Sequence, residues 1–212
     1  MEPSHPSSWK FLGSEVLNKS NKELAIKSSH EAVIDGVPLR MDRYAYFRAG
    51  DTFFVLSVRI NNVGDRPIGF YYVYGDEPWV GDFGSSKGNV GWVDGKLIKT
   101  VQYVDAGKYS YAGYFDYGND LVSPEHDFTK TANFIEWSSK DKPLVYFSNS
   151  PMDSPKGSGE GAPLGSDERY IGIQWGPKVL KPGESVHYVL AIGMAGNDPK
   201  TGFPVKPKVV FK

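Results

Sequence analysis

The chain has 212 residues, with 24 Gly, 15 Pro and no Cys, and 14% of it is aromatic. Its 24 basic and 25 acidic residues leave a formal net charge of −1, which gives no basic footprint for nucleic acid. The absence of Cys removes a disulfide scaffold, a thiol nucleophile and any Cys-ligated zinc or iron–sulfur centre. No apolar run reaches the roughly 18 residues that a membrane-spanning helix needs.

The first 22 residues are polar and are expected to be partly disordered, with Trp9, Phe11 and Leu12 able to pin them to the body. A Pro/Ser leader of this kind is what remains after removal of a signal peptide. The expected location is therefore the periplasm or cell surface, with the cytoplasm as the alternative. Residues 23–212 are expected to form one domain.

Strand signals begin at Glu23–Lys27 and Ala32–Asp35, followed by the turn dipeptide Asp35-Gly36. The strongest strand is Thr52–Asn61, where Phe54, Leu56, Val58 and Ile60 share one face at period two. It ends in a Gly/Pro turn, and Ile68–Tyr74 follows as an aromatic strand. Residues 75–95 read as a Gly-rich, acidic loop. Lys96–Val104, 109–119, Asn133–Trp137 and Leu144–Ser148 read as further strands, and 149–168 as a polar loop rich in Ser, Gly and Pro. Loops of that length are commonly functional.

Toward the C-terminus Ile171, Ile173 and Trp175 alternate, and Pro177 is expected to break the run. Val186, Tyr188, Leu190 and Ile192 line one face of the closing strand, and Val205–Phe211 is a candidate edge strand whose Pro residues suit an edge. No segment carries a helical period. The fold expected is an all-β antiparallel sandwich with long loops and little helix.

Two turn segments, Val58-Arg59-Ile60-Asn61-Asn62-Val63-Gly64-Asp65-Arg66-Pro67-Ile68 and Leu180-Lys181-Pro182-Gly183-Glu184-Ser185, resemble those of Ig-like and larger antiparallel β-sandwich domains of bacterial envelope proteins. The resemblance covers two turns and their flanking strands, and it implies fold rather than activity.

Three constellations could carry chemistry. Asp76, Glu77, Asp82 and Asp94 supply carboxylates in a Gly-rich loop, and calcium is the cation such oxygens would suit. The spacing of a calcium-binding loop is absent, however, and the loop reads first as a solvated connection with Trp79 and Trp92 tucked inward, with a ligand-binding rim as a further alternative. Trp79, Trp92, Tyr109, Tyr111, Tyr114, Tyr117 and Trp137 could stack on sugar rings, or fill the core between two sheets. Glu77, Glu125, His126, Glu136 and His187 are the acid/base candidates, and carboxylate pairs are the remaining route to glycosidase-type chemistry. Adjacent residues of an extended Glu125-His126-Asp127 point to opposite sides, so that trio needs outside partners.

The function expected is a non-catalytic extracytoplasmic module that binds carbohydrate or an envelope protein through aromatic-rich loops. The alternatives are a carbohydrate-active enzyme of sandwich fold and a purely structural interaction module. No cofactor is expected beyond calcium in the acidic loop.

Overall fold

A computed structural model describes residues 9–76, 80, 89–116, 131–138, 140, 142–150, 153–164 and 169–211. The described chain is predominantly antiparallel strand, as the composition predicts, and its only helix is the four-residue α1, Pro155–Ser158. It divides into two compact units. One comprises the chain up to Tyr72 with Trp175–Ala191, and the other Val73–Gln174 with Ile192–Val210.

The first unit holds β1 (Lys10–Lys19), β2 (Glu23–Ile34), β3 (Val37–Arg48), β4 (Phe53–Asn62) and the first part of β13 (Ser185–Asn197), in that spatial order. Its second layer pairs β5 (Ile68–Asp76) with β12 (Tyr170–Leu180). The β2–β3 hairpin turns at Asp35 and Gly36, whose φ values of 51° and 76° suit the two-residue turn that matches strand twist. The Arg66 guanidinium donates to the Asp35 carbonyl and braces that turn. Pairing then runs without a slip from Ile34↔Val37 to Glu23↔Arg48.

Leu56, Val58 and Ile60 are buried, as their alternation predicts. In the same unit the Trp175 ring of β12 stacks on Tyr188 of β13 at 4.7 Å.

The second unit contains β6 (Asn89–Val93), β7 (Lys96–Ile98), β9 (Tyr111–Asp116) and β10 (Thr131–Trp137), in the order β10-β9-β6-β7. The opposing layer is β8 (Gln102–Val104), β11 (Leu144–Ser148) and β12. Tyr114 of β9 meets Phe147 of β11 edge-on at 5.2 Å, so side chains of both layers interdigitate in one core. A short β14 (Pro204–Val205) pairs with the end of β13.

Several local expectations are corrected. Residues 10–19 are not a disordered leader: they form β1, because pairing with β2 satisfies backbone groups that a polar sequence alone does not announce. Two register shifts, at Phe11/Gly13 and Val16/Asn18, interrupt that strand and hide its period. Residues 23–34 are one strand rather than two. Val37–Arg48 is a full strand that its mixed composition conceals. Lys96–Val104 is two short strands that join different sheets. β12 continues past Pro177 to Leu180, through a cis Gly176–Pro177 bond with Gly176 at φ 120°. Of the C-terminal edge strand only Pro204–Val205 pairs.

Candidate functional site

The sequence-selected residues separate into two sets. Glu77, Trp79, Asp82, Tyr117, Glu125 and His126 lie outside the described residues, as does the Asp76 carboxylate. The others fall at definite places.

Trp92, Tyr114 and Trp137 fill the core of the second unit, with relative exposures of 0%, 0% and 2%. The Trp92 indole donates to the Asn133 carbonyl at 2.9 Å, and the Tyr114 hydroxyl reaches the Tyr170 carbonyl at 3.3 Å. These three rings do not form a surface platform. Two packed layers need bulky side chains from both faces, and these rings supply the volume. Tyr109 is half-buried, with the Lys108 ammonium 5.3 Å above its ring.

Tyr111, Glu136 and Asp94 are brought together. Tyr111 and Glu136 are directly opposed across β9 and β10. The Tyr111 hydroxyl accepts from the Asp94 backbone N–H at 3.0 Å. Lys206 completes the group, 2.7 Å from Glu136 Oε2 and 5.3 Å from the Tyr111 ring centre. Burial first, and then the neighbouring carboxylates, push the Tyr111 hydroxyl above its usual range. The Glu136–Lys206 pair fastens the C-terminal segment to the sheet. Among the described residues no group of three His, Asp or Glu converges on a cation position.

His187 is exposed in the first unit, and its Nε2 lies 2.5 Å from Ser57 Oγ. Glu136 is thus engaged by Lys206 and His187 by Ser57. Among the described residues these two acid/base candidates supply no facing carboxylate pair.

The first unit carries a different constellation, which the sequence reading did not select. Tyr72 in the middle of β5 stacks on Tyr188 at 5.5 Å and on Trp175 at 5.9 Å, with interplanar angles of 3° and 24°. Tyr188 and Trp175 are buried, and Tyr72 is half-buried. Burial pushes the Tyr72 hydroxyl up, opposed by the positive charge of Arg43. On β3 that same arginine stands two residues from Met41, which is paired with His30. His30 and Arg43 are therefore diagonal neighbours on one face of the sheet. Burial and then Arg43 push the His30 pKa down, with Asp42 opposing. Both Arg43 Nε and His30 Nδ1 are shielded from solvent and have no hydrogen-bond partner among the described residues. Buried polar atoms are normally satisfied, so two orphaned nitrogens within electrostatic reach of a half-buried ring mark this face as the candidate site. The signal that could have found it is an Arg and a His placed on the inward phase of strands that otherwise read apolar.

No family model matches the chain, and no curated protein matches it by sequence. Solved structures do. A chain named as an aldose 1-epimerase, from Klebsiella pneumoniae, is 13% identical with a TM-score of 0.50, covering 85% of this chain and 53% of that one. A galactose mutarotase-like protein from Clostridium acetobutylicum is 10% identical with a TM-score of 0.53, covering 89% and 66%. A family 36 α-galactosidase from Geobacillus stearothermophilus is 8% identical with a TM-score of 0.56, covering 91% of this chain and 28% of that one. The chain therefore has a fold similar to the β-sandwiches of mutarotase-like proteins, and it spans about half the length of the first of them. Ig-like envelope domains are not the likeness found, although both turn segments that suggested them are present.

Proposed function

We propose that this chain is a carbohydrate-binding β-sandwich whose site is the Arg43–His30–Tyr72 face of the first unit. The observation that carries the reading is the pair of orphaned donor or acceptor nitrogens, Arg43 Nε and His30 Nδ1, on the face whose charge reaches Tyr72. Both nitrogens are shielded from solvent, so in this reading the Arg43 and His30 side chains turn outward to meet sugar hydroxyls, while the exposed part of the Tyr72 ring meets a C–H face. The similarity of fold to proteins named for aldose, galactose mutarotase and α-galactosidase activities supports a sugar over other small polar ligands.

Binding without turnover is the form we propose, because the acid/base candidates that are described are engaged by Lys206 and Ser57. A location outside the cytoplasm fits a module of this kind and is part of the same proposal. Calorimetric titration with galactose, glucose and their uronic acids tests it. We expect saturable binding that Tyr72→Ala weakens at least tenfold while unfolding remains cooperative. Absence of binding to every sugar of that panel would refute the reading.

A further inference from the structure

The antiparallel register decides which side chains share a face with Arg43, because directly opposed residues project to the same side. On β3 that face carries Leu39, Met41, Ala45 and Phe47 beside Arg43. Opposite these on β4 stand Asn62, Ile60, Leu56 and Phe54, with Val58 opposite Arg43 itself. On β2 the same face carries Ala32, His30, Ser28, Ile26 and Leu24. No carboxylate is among them.

The acidic residues of these strands project to the other face. Asp42, next to Arg43 in sequence, is opposite Ser29 and Arg59. There it accepts from the Ser29 hydroxyl at 2.6 Å and pairs with Arg40 at 3.5 Å and Lys27 at 4.0 Å. Arg43 consequently has no ion-pair partner among the described residues. The cation sits on a predominantly apolar face, with one nitrogen shielded and unbonded, and its diagonal neighbour His30 is held toward the neutral form by burial and by the arginine itself.

An arginine in such surroundings is normally matched by an anion, and a guanidinium suits the planar, two-oxygen geometry of a carboxylate. A neutral imidazole can add one N–H donor. We propose that this face takes an acidic sugar, a uronic acid type of ligand, whose carboxylate is held by Arg43 and His30 and whose ring lies against Tyr72. The inference rests on the carbohydrate-binding reading above and adds the charge of the ligand to it.

Calorimetric titration of the full chain with galacturonate and glucuronate, in parallel with galactose and glucose, tests the inference directly. Acetate and inorganic phosphate serve as anions without a sugar ring. The expected result is binding of at least one uronate at least tenfold tighter than its neutral counterpart, weakening as salt is raised. Arg43→Gln should lower uronate affinity at least tenfold and neutral-sugar affinity by a smaller factor, because the guanidinium also serves the sugar hydroxyls. Arg43→Lys should retain an intermediate affinity, since it keeps the charge and loses the fork.

Equal affinity for neutral and acidic sugars, or no effect of Arg43→Gln in a folded variant, overturns the acidic-sugar inference and leaves carbohydrate binding standing. Acetate or phosphate binding as tightly as the uronates overturns the sugar component. Silence with all the sugars overturns both readings. Should Arg43→Gln fail to fold, the ratio of uronate to neutral-sugar affinity in the unaltered chain decides.

Discussion

The Asn62 side chain donates to the Leu180 carbonyl at 3.0 Å and so ties the end of β4 to the end of β12. Its amide nitrogen also donates to the Arg66 carbonyl at 2.9 Å, and its oxygen accepts from the Gly64 N–H at 2.9 Å. The Asn62 backbone exchanges two further bonds with the second turn, donating to the Glu184 carbonyl and accepting from the Gly183 N–H, each at 3.0 Å. One residue with 1% exposure thereby joins the two turn segments that stand out in the sequence.

Replacing Asn62 should be costly for that reason. Asn62→Ala removes three side-chain hydrogen bonds and takes the donor from the buried Leu180 carbonyl, an omission worth about 1–3 kcal/mol, and from the part-buried Arg66 carbonyl. We expect a total loss of about 2–4 kcal/mol by urea denaturation. A loss below about 0.5 kcal/mol, the level typical of surface changes, would show that water replaces the amide.

Trp92 and Gly113 form one packing unit. A Cβ on Gly113 would stand 2.0 Å from the Asn133 carbonyl oxygen and 2.7 Å from Trp92 Nε1. Gly113→Ala should therefore destabilise by about 3 kcal/mol or more, at the upper end of overpacking effects. Trp92→Ala should cost about 3–5 kcal/mol through cavity formation. Both should lower the thermal midpoint far more than they alter sugar affinity per folded molecule. A Trp92→Ala variant that keeps its melting temperature but loses binding would return Trp92 to the ligand site.

The Glu136–Lys206 pair can be weighed by a double-mutant cycle. Both side chains are largely buried, at 13% and 19% exposure, so cutting one partner strands the other. Glu136→Gln and Lys206→Met should each destabilise by about 1–3 kcal/mol, less than for a fully buried pair. The double variant should recover part of the loss, and the coupling energy measures the pair. Strict additivity of the two losses would mean the pair contributes nothing.

His30 sets a pH dependence. Its pKa in the folded state is depressed below the ordinary 6.5, first by burial and then by Arg43. The unfolded chain therefore takes up a proton at higher pH than the folded chain does. The contribution of neutral His30 is fully present above 6.5 and is lost as pH falls below that value toward the depressed folded pKa. Urea midpoints measured between pH 7.5 and pH 5 should decline across this range, and His30→Gln should flatten the decline. An unchanged slope in His30→Gln would assign it to other groups.

Much of the fold is legible in the residues. Leu56, Val58 and Ile60 alternate because one side of β4 faces a core, and Leu144–Ser148 is read with its observed bounds. Val37–Arg48 is not legible: Arg40, Asp42 and Arg43 break its apolar pattern, and only twelve paired positions with β2 reveal it as a strand. β1 is hidden similarly, since its bulges shift the period by one residue at two places.

For the site the division is sharper. Aromatic composition pointed to rings such as Trp92, Tyr114 and Trp137, but ring content is the same for a core and for a binding face. Burial separates the two uses. The closeness of Tyr111, Glu136 and Lys206 depends on a register and on a C-terminal segment far along the chain.

By itself, the sequence determined the strand-rich class, the absence of thiol chemistry and most strand positions, because period, turn residues and composition are local properties. Tertiary structure alone decided that Val37–Arg48 pairs as a strand and that Arg43, rather than its neighbour Asp42, shares the face of Leu39 and Met41. It also placed His30 and Tyr72 within electrostatic reach of that arginine. Pairing between distant segments creates such a face, and charge, burial and hydrogen-bond satisfaction acquire their values only once that pairing exists.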